Sequence, residues 1–167
     1  MPGVYMSMLP YSLIRPSSSQ IPIYTLTLPF AGNTRLPLFA SEFDTGKFVK
    51  PILMQQVQGK DMIGKTVYSA TDYITPVQIM DTFKECFPEK GKGANFVQCS
   101  NEEYKMGLQY AKMPEAVVRD LSDMMEAFGT VGYYGGANLG ESQKMVAEPL
   151  TSLKEYFLQA DAYEGFN

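Results

Sequence analysis

Four residues carry the sharpest chemical signal in the chain. Gly59, Gly64, Lys65 and Thr66 match G-x-x-x-x-G-K-[ST]. With that spacing a glycine-rich loop wraps phosphate, a lysine reaches its oxygens and a hydroxyl holds magnesium. A second set, Gly129, Gly132 and Gly135, spells G-x-x-G-x-x-G, a loose form of the dinucleotide fingerprint. Both chemistries need a buried strand before the loop and a helix directly after it, whose first N–H groups face the anion. Neither set has that frame. Lys47 to Gln58 reads as a helix ahead of the first loop, and Thr66-Val67-Tyr68-Ser69-Ala70 reads as a β-branched and aromatic strand behind it. A helix also precedes Gly129, and Tyr133 and Tyr134 stand where small residues would admit pyrophosphate. Both glycine sets are therefore expected to be turns, the second an aromatic-bearing loop over a pocket or over the core.

The other catalytic residue types narrow the field further. The chain has no histidine, which removes Ser-His and Cys-His nucleophilic systems and every histidine-containing metal site. Cys86 and Cys99 are too far apart for C-x-x-C and are expected to be reduced, buried thiols. No catalytic residue and no metal ligand is assigned. A net charge of −4 and the lack of a Lys/Arg cluster argue against direct nucleic-acid binding, which needs a basic face. No apolar run reaches the length of a membrane span, and the first twenty residues form no secretory signal. The expectation is a soluble, cytoplasmic protein, or a nuclear one if its role is regulatory.

The elements that would position these residues follow from caps and periodicity. Thr75, Pro76 and Gln78 make a capping box with proline at the first helical position. Val77, Met80 and Phe83 then share one face of that helix. Before it, Tyr24 to Leu28 reads as a strand, placed at a sheet edge by Pro22 and Pro29. Residues 10 to 20 read as Pro/Ser-rich loop, and Leu36 to Phe39 as a short extended piece. Ser41 to Gln58 reads as a helix with Ser41, Asp44 and Thr45 as capping material, a stripe of Phe48, Val49, Ile52 and Leu53, and a kink or start near Pro51. After a loop, Asn95 to Cys99 is a short strand, and Ser100 with Glu103 caps a helix running through Leu108. Pro114 opens a helix with Val117, Val118, Leu121, Met124, Met125 and Phe128 inward, stopped by Gly129. Thr151 caps a last helix with Leu153, Phe157 and Leu158 inward. Strand, loop and capped helix in succession predict an α/β fold.

Several stretches occur in a familiar order: Pro2-Gly3-Val4-Tyr5-Met6, Tyr24 to Pro29, Asp44-Thr45-Gly46-Lys47-Phe48-Val49, Gly64 to Val67, Tyr73-Ile74-Thr75-Pro76, and Phe128 through Gly136. Together they resemble the later half of NmrA-like proteins, atypical members of the short-chain dehydrogenase/reductase group. The resemblance covers nearly the whole chain. It implies a remnant of a Rossmann-type NAD(P)-binding fold, its last sheet strand and helix, joined to a smaller C-terminal α+β cover region. Residues 1–167 would be one incomplete domain. NAD or NADP is the implied cofactor, with only Pro2, Gly3 and Tyr5 matching the family's nicotinamide-side loop. The early strands and glycine fingerprint of the family find no match, so tight dinucleotide binding by this chain alone is not expected. The group's Tyr-x-x-x-Lys is also missing, since none of the eleven tyrosines has lysine four residues on.

Two functions and a third, empty reading follow from this resemblance. One is an NAD(P)-sensing regulatory or interaction protein. Another is an oxidoreductase acting on a small hydrophobic metabolite held by Tyr24, Phe128, Tyr133 and Tyr134. The last is a truncated product without independent function. An unpaired edge on the Thr66–Ala70 strand is expected to favour a protein partner or self-association.

Overall fold

The computed structural model describes residues 3–10, 14–17, 22–59 and 62–166. Two small sheets form among them. In the first, β1 (Val4–Tyr5) runs parallel to β4 (Leu36–Phe39), and β5 (Asp72–Ile74) joins β4 antiparallel, in the order β1-β4-β5. In the second, β3 (Tyr24–Leu28) lies between antiparallel β2 (Ile14–Pro16) and parallel β6 (Asn95–Gln98). Six helices accompany them: α1 (Ser41–Val57), α2 (Pro76–Cys86), α3 (Asn101–Tyr110), α4 (Glu115–Thr130), α5 (Gly140–Gln143) and α6 (Leu153–Gln159). The result is the mixed α/β architecture expected from the sequence.

The capping boxes set the helix starts. Thr75 Oγ1 accepts from the Gln78 N–H while Gln78 Oε1 accepts from the Thr75 N–H. Ser100 and Glu103 repeat the arrangement at α3, and Ser152 with Glu155 repeats it at α6. Satisfying two orphan donors at each start fixes where the helix begins. From α2, Ile79, Met80 and Phe83 enter the core, and α6 adds Leu153, Tyr156 and Phe157.

Several expectations are corrected. Thr66 to Ala70 is not a strand; the strand comes later, at Asp72–Ile74. The backbone of the earlier stretch is satisfied irregularly. Ser69 O accepts from the Gly3 N–H at 2.8 Å, and the Tyr68 N–H donates to Ser142 Oγ at 2.9 Å. The edge expected there is therefore absent. Among the described residues β1 has one strand neighbour, β4, and ends the order of that sheet, with Ser69 O held by the Gly3 N–H at its start. Strand β3 is central, because Pro22 and Pro29 fall outside it and remove no ladder bond. Ile14–Pro16, inside the expected loop, pairs with β3; residues 11–13 and 18–20 of that loop lie outside the described residues.

Helix faces shift by a residue or two. Val77 is 46% exposed and Ile79 takes its place inside. In α1, Phe48 is buried but Val49 and Leu53 face solvent, and no side chain caps the start. Pro51 lies inside the helix rather than at its start. In α4, Val117 is exposed, and Gly129 is an interior residue rather than the stop. A Cβ there would sit 2.9 Å from Phe30 Cβ, so the glycine lets α4 approach the end of β3. At α6 the cap is Ser152, and Leu158 is exposed where Tyr156 is buried.

Thr151 is not free to cap because it serves Asp44. The Asp44 carboxylate is fully buried and accepts from Thr151 N–H (3.0 Å), Thr151 Oγ1 (2.8 Å), Thr71 Oγ1 (3.3 Å) and Lys47 Nζ (2.7 Å). A buried charge is tolerable when its oxygens are filled in this way. Asp44 thereby joins α1 to the stretches leading into β5 and α6.

Candidate functional site

A cavity of about 330 Å³ opens where the first sheet meets α4. Its wall brings Gly3 and Tyr5 of the β1 segment together with Phe128 of α4 and Tyr133 of the following loop. The α4 stripe adds Leu121, Met124 and Met125, and Leu28, Phe30 and Leu36 close the sheet side. No charged side chain lines it. Such a volume lies at the small end of ligand pockets, and methionines let the wall adapt to its contents.

Each wall residue has a local reason to be there. A Cβ at Gly3 would fall 2.3 Å from the Pro37 carbonyl oxygen, so only glycine allows the chain to run this close to β4. Tyr5 is 41% exposed and tilts against Phe39, with ring centroids 6.1 Å apart. Tyr133 meets Phe128 edge-on at 4.9 Å and Tyr134 at 5.0 Å. Tyr134 turns away from the cavity and packs on Tyr68 at 4.7 Å, within a small cluster with Ala70 and Leu139. The loop carrying both tyrosines turns on Gly132, Gly135 and Gly136, whose φ angles of 77°, 59° and 76° are left-handed. The Gly135 N–H donates to Gly132 O. These glycines make turns, as the sequence order implied. The first set behaves alike: the Gly59 N–H closes α1 on Gln56 O, and the Lys65 N–H donates to Met62 O. Residues 60 and 61 between them lie outside the described residues.

Burial raises three phenols here, Tyr73, Tyr133 and Tyr134. Burial pushes Tyr133 up, helped by Tyr5. Burial pushes Tyr134 up strongly, with Tyr133, Tyr73 and Tyr68 adding to it. Tyr73 donates from its hydroxyl to Ala137 O at 2.8 Å; burial raises it, while Arg35 opposes. The Arg35 guanidinium sits 4.6 Å from the Tyr73 ring centre. Cys86 and Cys99 are unpaired, and burial raises both thiols, away from the thiolate that reacts. Among the described residues no cluster of His, Cys, Asp or Glu is arranged to hold a metal, and no helix is long and apolar enough to cross a membrane.

Of the residues singled out in the sequence, the structure gathers Gly3, Tyr5, Phe128 and Tyr133 on one cavity. Pro2 lies outside the described residues. Tyr24 is elsewhere, against Phe83 and Phe166 at 5.4 and 5.6 Å. Met8, Met124 and Met125 were not foreseen as wall residues. The α4 periodicity showed its apolar stripe, but periodicity does not tell a stripe on a cavity from one on packed core.

The NmrA-like family model matches residues 1–157. No curated protein sequence matches the chain. Among solved structures it is similar to Nmra, a negative transcriptional regulator, in complex with NAD, at 19% identity and a TM-score of 0.64. The same protein in complex with NADP, and in a monoclinic crystal form, each give 19% identity and a TM-score of 0.63. Each match covers 99% of this chain and 51% of the other, so the chain spans about half the length of those structures. At that identity the likeness is one of fold.

Proposed function

The chain belongs to the NmrA-like family, and we propose that it forms the covering half of a dinucleotide-responsive regulatory protein. In this reading it offers an apolar, non-catalytic cavity, while phosphate contacts come from a separate strand–glycine-loop–helix segment. The observation that carries it is the meeting of Gly3 and Tyr5 with Phe128 and Tyr133 on a cavity without a charged wall residue. A general acid or base works best with a pKa near the working pH, and burial moves Tyr133 the other way. Its phenol suits contact with a ring or an amide better than proton transfer. The two glycine sets support the second half of the proposal, because each ends a helix instead of starting one.

The regulatory class is suggested by Nmra, described as a negative transcriptional regulator and seen with NAD and with NADP. At a net charge of −4, regulation would run through a protein partner rather than through DNA phosphates. The outer side of β1, beyond the Gly3–Ser69 hydrogen bond, is the proposed edge for that partner or for a second copy. An oxidoreductase acting on a small apolar metabolite is the second reading, favoured by the apolar wall of the same cavity.

Calorimetry tests the proposal. The isolated chain is expected to bind NAD, NADP and ATP far more weakly than ~1 μM, the affinity worth about −8 kcal/mol. Extending it at the N-terminus with a strand–glycine-loop–helix segment is expected to restore NAD(P) binding. Micromolar binding by the unextended chain would overturn the reading. Oxidation of NADPH by the extended chain with small apolar carbonyl compounds would select the oxidoreductase instead.

A further inference from the structure

We propose that the apolar cavity is one end of an elongated site for a small amphipathic anion, its apolar body against Met124, Met125 and Phe128 and its headgroup at Arg35. This rests on reading the cavity as a ligand site, and adds the ligand's charge and shape. Three hollows adjoin one another. The apolar one of about 330 Å³ shares Phe128 and Tyr133 with a groove of about 260 Å³. That groove shares Arg35, Tyr73 and Gly136 with a wide polar hollow of about 590 Å³. Arg35 lines the middle groove beside Phe128 and Tyr133, the two residues that also line the apolar hollow.

Arg35 is equipped to receive an anion. It is exposed, it rests on the Tyr73 ring at 4.6 Å, and no salt bridge joins it to a carboxylate among the described residues. Two other polar groups of the wide hollow are engaged. Gln143 Nε2 donates to Ala70 O and Thr71 O, and Asn138 Oδ1 accepts from the Gly140 N–H. Asp72 shares the hollow and accepts from the Tyr73 N–H at 2.7 Å. A carboxylate lining the same hollow disfavours a dianion, so the site suits a single negative charge. Guanidinium and carboxylate match as a two-pronged hydrogen bond, which makes a carboxylate the head of choice. The apolar wall asks for an uncharged hydrocarbon body.

Calorimetry with sodium octanoate, octan-1-ol and sodium acetate separates the parts. Octanoate is expected to bind at least about tenfold more tightly than octanol, as a charge-assisted hydrogen bond allows, and acetate not detectably. Arg35→Gln, at an exposed position and with an unchanged melt as control, is expected to erase the advantage of octanoate and leave octanol unaffected. Leu121→Trp, which fills the cavity, is expected to abolish both. Equal binding of octanoate and octanol to the unaltered chain would overturn the headgroup at Arg35 while leaving the cavity a ligand site. Binding of neither would overturn both. Dinucleotide binding is read in the separate titration above, so either reading can fail alone.

Discussion

Two groups of aromatic rings in this molecule are built at similar spacing and do different things. Around Phe83 the rings of Tyr24, Phe87, Phe157, Tyr163 and Phe166 lie 5.3 to 6.3 Å away, centre to centre. In the other group Phe128, Tyr133, Tyr134 and Tyr68 form a chain at 4.7 to 5.0 Å. In the first group Tyr24, Phe83 and Phe157 stand on strand β3 and on helices α2 and α6, each helix started by a capping box; Phe87, Tyr163 and Phe166 follow those helices, and the rings fill the interior. The second stands mostly on loops turned by left-handed glycines, and hollows open on either side of it. Regular elements repeat their side-chain directions and can interdigitate to crystal-like density. A loop that must turn at several glycines points each ring once, and leaves space beside it.

Substitutions can break this contrast. The largest effect is expected from Phe83→Ala, a loss of about 3–5 kcal/mol, because five ring neighbours surround the resulting void. The check is a denaturant midpoint; a loss under about 1 kcal/mol, typical of surface changes, would mean that the first group is as loosely packed as the second. Next comes Gly129→Val, which forces a Cβ toward Phe30 where the loop group begins. Overpacking of this kind costs about 1–3 kcal/mol, and the same melt series should also show weakened octanoate binding as α4 is pushed off the sheet. Stability lost without any change in binding would separate the hollow from the seat of α4. The smallest effect is expected from Thr75→Ala, about 1 kcal/mol for a lost N-cap. An unchanged midpoint there would show that tertiary packing, rather than the cap, holds the start of α2.

What the sequence made legible was mostly local. Thr75 with Gln78 and Ser100 with Glu103 lie three residues apart, and both boxes form as read. Ser152 and Glu155 carry the same pattern one residue beyond Thr151, and that box is the one that forms. Thr151 itself could not be placed from its neighbours, because its partner Asp44 is 107 residues away. Strands suffered more than helices. Thr66 to Ala70 has β-prone residues yet makes a single bridge, at Ser69, while Ile14–Pro16 has a strand's pairing without its composition; strand propensity reports packing context as much as backbone preference. In the site, Phe128 and Tyr133 were legible as aromatic residues flanking a glycine loop. Their meeting with Gly3 and Tyr5 was not, since it depends on the parallel pairing of β1 with β4. Tyr24 shares their chemistry but sits on β3 and faces the other group.

The Asp44 carboxylate has a consequence for how the molecule breathes. Its donors come from α1, from Thr71 and from Thr151. Releasing any one of these stretches leaves a buried charge short of a partner, which is far costlier than exposing a surface ion pair. Partial opening at one place is therefore disfavoured unless the others open with it. Thr71 and Thr151, distant in sequence, then belong to one cooperative exchange unit, and the Thr151 amide is protected from solvent hydrogen for as long as α1 holds its place.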